Sequence, residues 1–203
     1  MKIISHRGKF SKQSAENDIS TILKTDAYQP AYIEIDIQLN KSEKAILVHD
    51  NIAGYELAKI DGLPLLDNLL RLKLKTPLLI EIKQPGIAKI VLEQLNAEAD
   101  FSFTTFHIED ARFLKNKIDK EIFIMQRLHP FGLFKKCVQN NFDGIGMNKN
   151  WLIFVPFIYQ KCLRNNKKLI LYTLNSKILA KLLSRLMPEI YICTDKTKKY
   201  ITY

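Results

Sequence analysis

Short apolar runs alternate along the chain with longer segments of mixed polarity. β-branched and aliphatic residues cluster at Lys2–His6, Tyr32–Leu39, Ala45–His49, Leu78–Lys83, Phe101–Phe106, Ile122–Arg127, Phe142–Met147, Lys168–Leu174 and Ile190–Thr194, each of strand length. Between most of them apolar residues recur at helical spacing, as at Ile87, Ile90, Val91 and Leu95 or at Ile178, Leu179, Leu182, Leu183 and Leu186. Strand and helix in alternation predict an α/β fold with a parallel sheet. One connection breaks the pattern: only Asn40–Lys44 separates Leu39 from Ala45. A parallel crossover takes about a dozen residues or more, so these two runs are predicted to form an antiparallel hairpin. Without the hairpin's return arm eight strands remain, the count of a small (β/α)8 TIM barrel with a β-hairpin after strand two. An open doubly wound sheet is the alternative, but no G-x-G-x-x-G follows the first strand.

Composition narrows the picture to one globular domain spanning 1–203, with 47% hydrophobic and 26% charged residues and no low-complexity tract. The most apolar run, Trp151–Tyr159, is broken by Pro156 and is roughly half the ~20 residues a membrane-spanning helix needs. The N-terminus reads directly as a strand, without a secretory leader, so a cytoplasmic location is expected. Three widely spaced cysteines, Cys137, Cys162 and Cys193, suit reduced core positions rather than a disulfide framework. The charge is uneven. Residues 1–100 carry 13 Lys+Arg against 14 Asp+Glu, and residues 101–203 carry 18 against 7. A basic second half suits an anionic partner, and a merely solvated face accounts for it as well.

In a barrel, catalytic groups stand at the C-terminal ends of strands. There the chain places His6-Arg7-Gly8, Glu34-Ile35-Asp36, His49-Asp50 and Glu81-Ile82-Lys83. Glu34 and Asp36 share one face of their strand, and Ile33, Ile35 and Ile37 take the other. The isoleucines belong outward against helices, so the acids point inward, with Glu81 between Ile80 and Ile82 as a third. Inward carboxylates need a cation. Hard oxygen ligands without clustered Cys or His favour Mg²⁺ or Ca²⁺, and an inward ion-pair network with Arg7 and Lys83 is the alternative. His6 and His49, set beside the acids, suit a general acid and base pair. Arg7 and Lys83 suit a phosphate whose transition-state charge must be offset, which points to phosphodiester chemistry.

Taken together, His6-Arg7-Gly8, Glu16-Asn17, Glu34 to Leu39, Val48-His49-Asp50, Glu81-Ile82-Lys83, Ser102 to Phe106, Tyr172 to Asn175 and Thr194-Asp195 resemble the glycerophosphodiester phosphodiesterase family, from residue 2 to about 195. The resemblance implies a barrel hydrolase that splits a glycerophosphodiester into an alcohol and glycerol 3-phosphate with a divalent cation. It makes Glu34, Asp36 and Glu81 metal ligands, His6 and His49 the acid/base pair, and Arg7 and Lys83 phosphate ligands. It also implies attack on phosphorus by a hydroxyl of the substrate's own glycerol, through a cyclic phosphate. The chain departs from the family pattern after His49-Asp50, where Asn51 to Asp61 leads directly to a helix near Pro64, so the cap insertion is reduced or absent. Ala15 replaces the usual proline, Tyr172 the usual tryptophan, and only Lys196–Tyr203 follow the last strand.

The expected partner is a small-molecule or lipid-derived phosphodiester. A lysophospholipid, a surface glycan and non-catalytic binding of an anionic polymer are the alternatives, and with no recognised nucleic-acid module no nucleic-acid partner is expected. Two segments, His129–Lys136 and Trp151–Tyr159, combine bulky apolar and basic residues. They read either as outer helices or as a lip, including Trp151 and Phe154, that docks peripherally on the inner membrane face. His107 and His129 receive no role.

Overall fold

The computed structural model describes residues 1–95, 99–126 and 132–201. Its strands lie where the apolar runs do: β1 (Lys2–Ser5), β2 (Tyr32–Leu39), β3 (Ala45–Leu47), β4 (Leu78–Ile82), β5 (Phe101–Thr105), β6 (Ile122–Met125), β7 (Gly144–Asn148), β8 (Lys168–Tyr172) and β9 (Tyr191–Thr194). They form one sheet in the order β1-β9-β8-β7-β6-β5-β4-β2-β3, and β1 also pairs with β2, which closes the ring. The closing seam is parallel, with Ile4 opposite Tyr32 and Ser5 opposite Ile33. Only β3 runs antiparallel, placing Leu47, Ile46 and Ala45 opposite Ile37, Gln38 and Leu39. Eight parallel strands closed on themselves, with a hairpin after the second, are the (β/α)8 barrel that the spacing predicts.

Several predicted runs overshoot at their C-terminal ends, because His6, His49, Lys83, Phe106 and Leu174 lie beyond the ladder, where the chain turns outward. The predicted end of the sixth run at Arg127 lies outside the described residues. The helices are α1 (Ile19–Asp26), α2 (Leu57–Asp61), α3 (Leu66–Leu70), α4 (Ala88–Glu93), α5 (Ile108–Lys117), α6 (Leu133–Gln139), α7 (Val155–Arg164), α8 (Lys177–Leu186) and α9 (Thr197–Ile201). Asp18 starts α1 by accepting a hydrogen bond from the Thr21 backbone N–H at 2.8 Å. After the hairpin, Asn51–Leu63 forms only a single-turn helix at Ile52–Gly54 and α2. These fold back on β3 through a small cluster of Ile46, Val48, Ile52 and Ile60, so the inserted cap is reduced to one short layer.

Period-two alternation divides the core. Ile33, Ile35 and Ile37 of β2 and Leu78, Ile80 and Ile82 of β4 are buried in the main cluster with the helices. Ile4, Leu79, Phe123, Ile170, Tyr191 and Cys193 form a separate cluster within the ring. The three cysteines are free and buried, and burial pushes the thiols of Cys137 and Cys162 up to about 11 and about 12. β7 offers no side chain inward from Gly144 or Gly146, which leaves room for Phe123 and Met125 of its neighbour. A Cβ on Gly144 would lie 2.5 Å from the Lys168 carbonyl oxygen and 2.8 Å from the Phe123 ring. Gly144→Ala is therefore expected to destabilise the barrel by about 1–3 kcal/mol through overpacking. A lower urea midpoint at unchanged slope would show it; an unchanged midpoint would mean that the strand yields.

The apolar stripe of α8 packs differently from its sequence pattern. Ala180 and Leu183 are buried, but Ile178, Leu182 and Leu186 are 85%, 51% and 67% exposed. Among the described residues, no helix is long and apolar enough to cross a membrane.

Candidate active site

The outward isoleucines of β2 turn Glu34 and Asp36 into the mouth of the barrel, and the β2–β4 register sets Asp36 opposite Glu81. All three carboxylates are buried, and each offers an oxygen within 4.8 Å of the others. Two cations bracket them. Lys83 Nζ lies 2.7 Å from Glu81 Oε1 and 3.5 Å from Asp36 Oδ1. Arg7 Nε lies 3.3 Å from Asp36 Oδ2, and its Nη1 donates to Glu16 Oε1 at 2.9 Å. The inward ion pairs that the sequence offers as an alternative are thus present, two cations against three carboxyls.

The loop after β1 is shaped to reach this cluster. Arg7 adopts a left-handed conformation, φ 53°, and its backbone N–H donates to Glu34 Oε2 at 2.7 Å. Gly8 follows at φ 70°, packed so closely on Ile22 that a Cβ would collide with that side chain. Asn17, also left-handed at φ 52°, clasps Asp36 from both sides. Its Nδ2 donates to Asp36 Oδ2 and its Oδ1 accepts from the Asp36 N–H, both at 3.0 Å. Strained backbone of this kind persists where surrounding contacts over-determine it.

Burial, and then the neighbouring Asp36 and Glu81 carboxylates, push the Glu34 carboxyl well above its usual range. Burial and Asp36 likewise raise Glu81. For Arg7 and Lys83 burial opposes the charge, but the carboxylates outweigh it and raise both. Three buried carboxyls that converge on one another, with no nitrogen or sulfur ligand among them, fit a hard divalent cation.

His6 stands at the edge of the cluster. Its Nδ1 is 2.7 Å from Asp195 Oδ1, just past β9. Asn175 Nδ2 donates to Asp195 Oδ2 at 2.6 Å, while Asn175 Oδ1 accepts from the Asp195 N–H at 2.9 Å. Burial works against the Asp195 charge, but the hydrogen bonds from His6 and Asn175 prevail and hold its carboxyl well below the usual range. An ionised Asp195 keeps the proton on Nδ1 and leaves Nε2 as the ring nitrogen without that partner. His49 follows Val48, whose N–H donates to the Asp36 carbonyl at 3.0 Å, so the hairpin returns to the level of the acids. Its Nδ1 pairs with the exposed Asp50 at 2.9 Å.

Asn17, Asn175 and Asp195 belong to motifs visible in the sequence, but their task of holding Asp36 and His6 becomes apparent only in three dimensions. His107 turns Nε2 onto the Lys83 carbonyl at 3.2 Å. Trp151 and Phe154, read from the sequence as part of outer helices or of a lip, are half-buried against the core with ring centroids 5.8 Å apart. His129, Pro130 and Phe131 lie outside the described residues.

Fold and site define a (β/α)8 barrel with an acidic, cation-bracketed centre at the C-terminal mouth of its strands. Solved structures with this same fold include a glycerophosphodiester phosphodiesterase from Parabacteroides distasonis, 18% identical, at TM-score 0.82 over 98% of this chain and 94% of that one. Another, from Thermotoga maritima, is 17% identical at TM-score 0.82 over 100% and 97%. An Oleispira antarctica phosphodiesterase in complex with the product sn-glycerol-3-phosphate is 15% identical at TM-score 0.82 over 100% and 96%. No protein-family profile and no curated protein matches the chain.

Proposed function

We propose that the chain is a divalent-cation-dependent phosphodiesterase that hydrolyses glycerophosphodiesters to an alcohol and glycerol 3-phosphate, with residues 1–203 as one catalytic unit. The observation that carries this reading is the convergence of Glu34, Asp36 and Glu81 between Arg7 and Lys83, beside a histidine oriented by Asp195. The product named for the Oleispira structure supports the substrate class.

Glu34, Asp36 and Glu81 would hold the cation, Mg²⁺ or Ca²⁺, which supplies charge to offset that developing on the phosphoryl oxygens. Arg7 and Lys83 orient the phosphate, the guanidinium through its planar fork. Of His6 and His49, one takes the proton from the substrate hydroxyl that attacks phosphorus and the other gives a proton to the leaving alcohol oxygen. Water then opens the cyclic phosphate. The thin layer over the mouth leaves room for bulkier diesters, lysophospholipids among them.

Phosphorus NMR with glycerophosphocholine, glycerophosphoethanolamine and a lysophospholipid, each with Mg²⁺, Ca²⁺ or EDTA, tests the reading. Cation-dependent release of glycerol 3-phosphate, or of acylglycerol 3-phosphate from the lysophospholipid, is the expected outcome, and no turnover of any of the three would overturn it. Asp195→Asn is expected to lower kcat about 10–100-fold with little change in KM, because the imidazole loses the partner that fixes its tautomer. A pH–rate profile that keeps its wild-type shape at reduced height would argue instead for a merely structural loss.

A further inference from the structure

From Gly144 to Pro188 the chain contains no Asp or Glu, while Lys149, Lys161, Arg164, Lys167, Lys168, Lys177, Lys181 and Arg185 all fall within it. This stretch supplies α7 and α8, neighbouring outer helices. It also contributes a disproportionate share of exposed large apolar side chains among the described residues: Ile153 and Phe157 before and within α7, Leu163 at its end, and Ile178, Leu182 and Leu186 along α8.

The arrangement on α8 is ordered. Ile178, Leu182 and Leu186 follow one another at i, i+4 and i+8, so they line up along one ridge for about 12 Å at 1.5 Å per residue. Lys177, Lys181 and Arg185 repeat at the same interval one position earlier and form a parallel basic row. On α7 the exposed Phe157 carries Lys161 over its ring, Nζ 4.3 Å from the centroid. Large apolar groups interleaved with cations, on a stretch of chain without Asp or Glu of its own, are the surface chemistry of a helix lying in a bilayer interface. A nucleic-acid backbone would use the lysines but has no use for an exposed Ile–Leu–Leu ridge, and a second copy of this chain would bring two like-charged rows together.

We infer that the α7–α8 face is a docking surface for an anionic lipid bilayer, with the Ile178–Leu182–Leu186 ridge entering the headgroup region and the adjoining basic row meeting lipid phosphates. Ile178 lies at the start of α8 and Phe157 near the start of α7, both on the mouth side of the barrel, so docking sets one edge of the mouth at the membrane. The inference does not depend on the proposed chemistry and is measured separately from it.

Flotation of the intact protein with phosphatidylcholine vesicles, with and without phosphatidylglycerol, tests it. Binding is expected only with phosphatidylglycerol and should weaken as salt rises. Ile178→Ser/Leu182→Ser and Lys181→Glu/Arg185→Glu are each expected to lower vesicle binding about tenfold or more. Because these side chains are exposed, both variants should keep the wild-type melting temperature and turnover of a soluble diester. Equal binding to neutral vesicles, no binding to anionic ones, or wild-type binding by both variants would overturn the inference. So would retention of RNA, or self-association, as the sole activity lost in the variants.

Discussion

His6→Ala is expected to reduce turnover of a soluble glycerophosphodiester by about 10²–10⁴-fold with KM little changed, the usual scale of a lost general acid or base. The geometry makes this imidazole hard to replace. It is half-buried beside the carboxylate cluster, and Asp195 holds Nδ1 at 2.7 Å, so no water occupies the same place with the same proton inventory. His49→Ala should cost a comparable factor, and the double variant much less than the product of the two, since on the proposed mechanism both groups serve one proton-transfer sequence. Steady-state kinetics with phosphorus NMR detection checks both. Turnover within a few-fold of wild type in either single variant would remove that histidine from the mechanism.

The second large effect concerns the cation and stability. In the metal-free protein the Glu34 and Glu81 carboxyls titrate above 4.5, raised first by burial and then by Asp36. Between the unfolded value and the raised folded value the native state binds more protons than the unfolded chain, so metal-free stability falls as pH rises through that window. A bound cation displaces those protons, so its stabilising effect grows across the same window. At about a hundredfold excess over Kd the gain is about 2.7 kcal/mol, or about 5–10 °C in Tm for a chain of this size. Glu34→Gln should raise the metal-free Tm above that window and abolish most of the cation increment. Thermal melts from acid to neutral pH with Mg²⁺, Ca²⁺ or EDTA measure all of this. An increment independent of pH, or retained in Glu34→Gln, would place the cation elsewhere.

The barrel was legible in the sequence where burial imposes period two. In β2, Ile33, Ile35 and Ile37 leave only one face for Glu34 and Asp36, and a five-residue connection forces the hairpin. The strand ends were less legible, because the turn at His6–Gly8 depends on a left-handed Arg7, which no local pattern announces. The helices were least so. α8 carries apolar residues around much of its circumference, and only contact with the barrel decides that Ala180 and Leu183 face inward while Ile178 and Leu182 do not. In the site, acids and histidines at strand ends could be read from spacing. The clasp of Asn17 on Asp36 and of Asn175 on Asp195 could not, since each depends on how the loop after one strand turns towards the neighbouring strand.

The contact between His6 and Asp195 spans 189 positions, linking the first strand to the last. On the proposed chemistry this ties activity to the order of synthesis. A growing chain already holds the cation ligands of β2 and β4, yet its His6 ring has no fixed tautomer until β9 emerges and slots between β1 and β8. Full turnover would come only with a finished ring, so the histidine made among the first residues waits for the last strand to receive its partner.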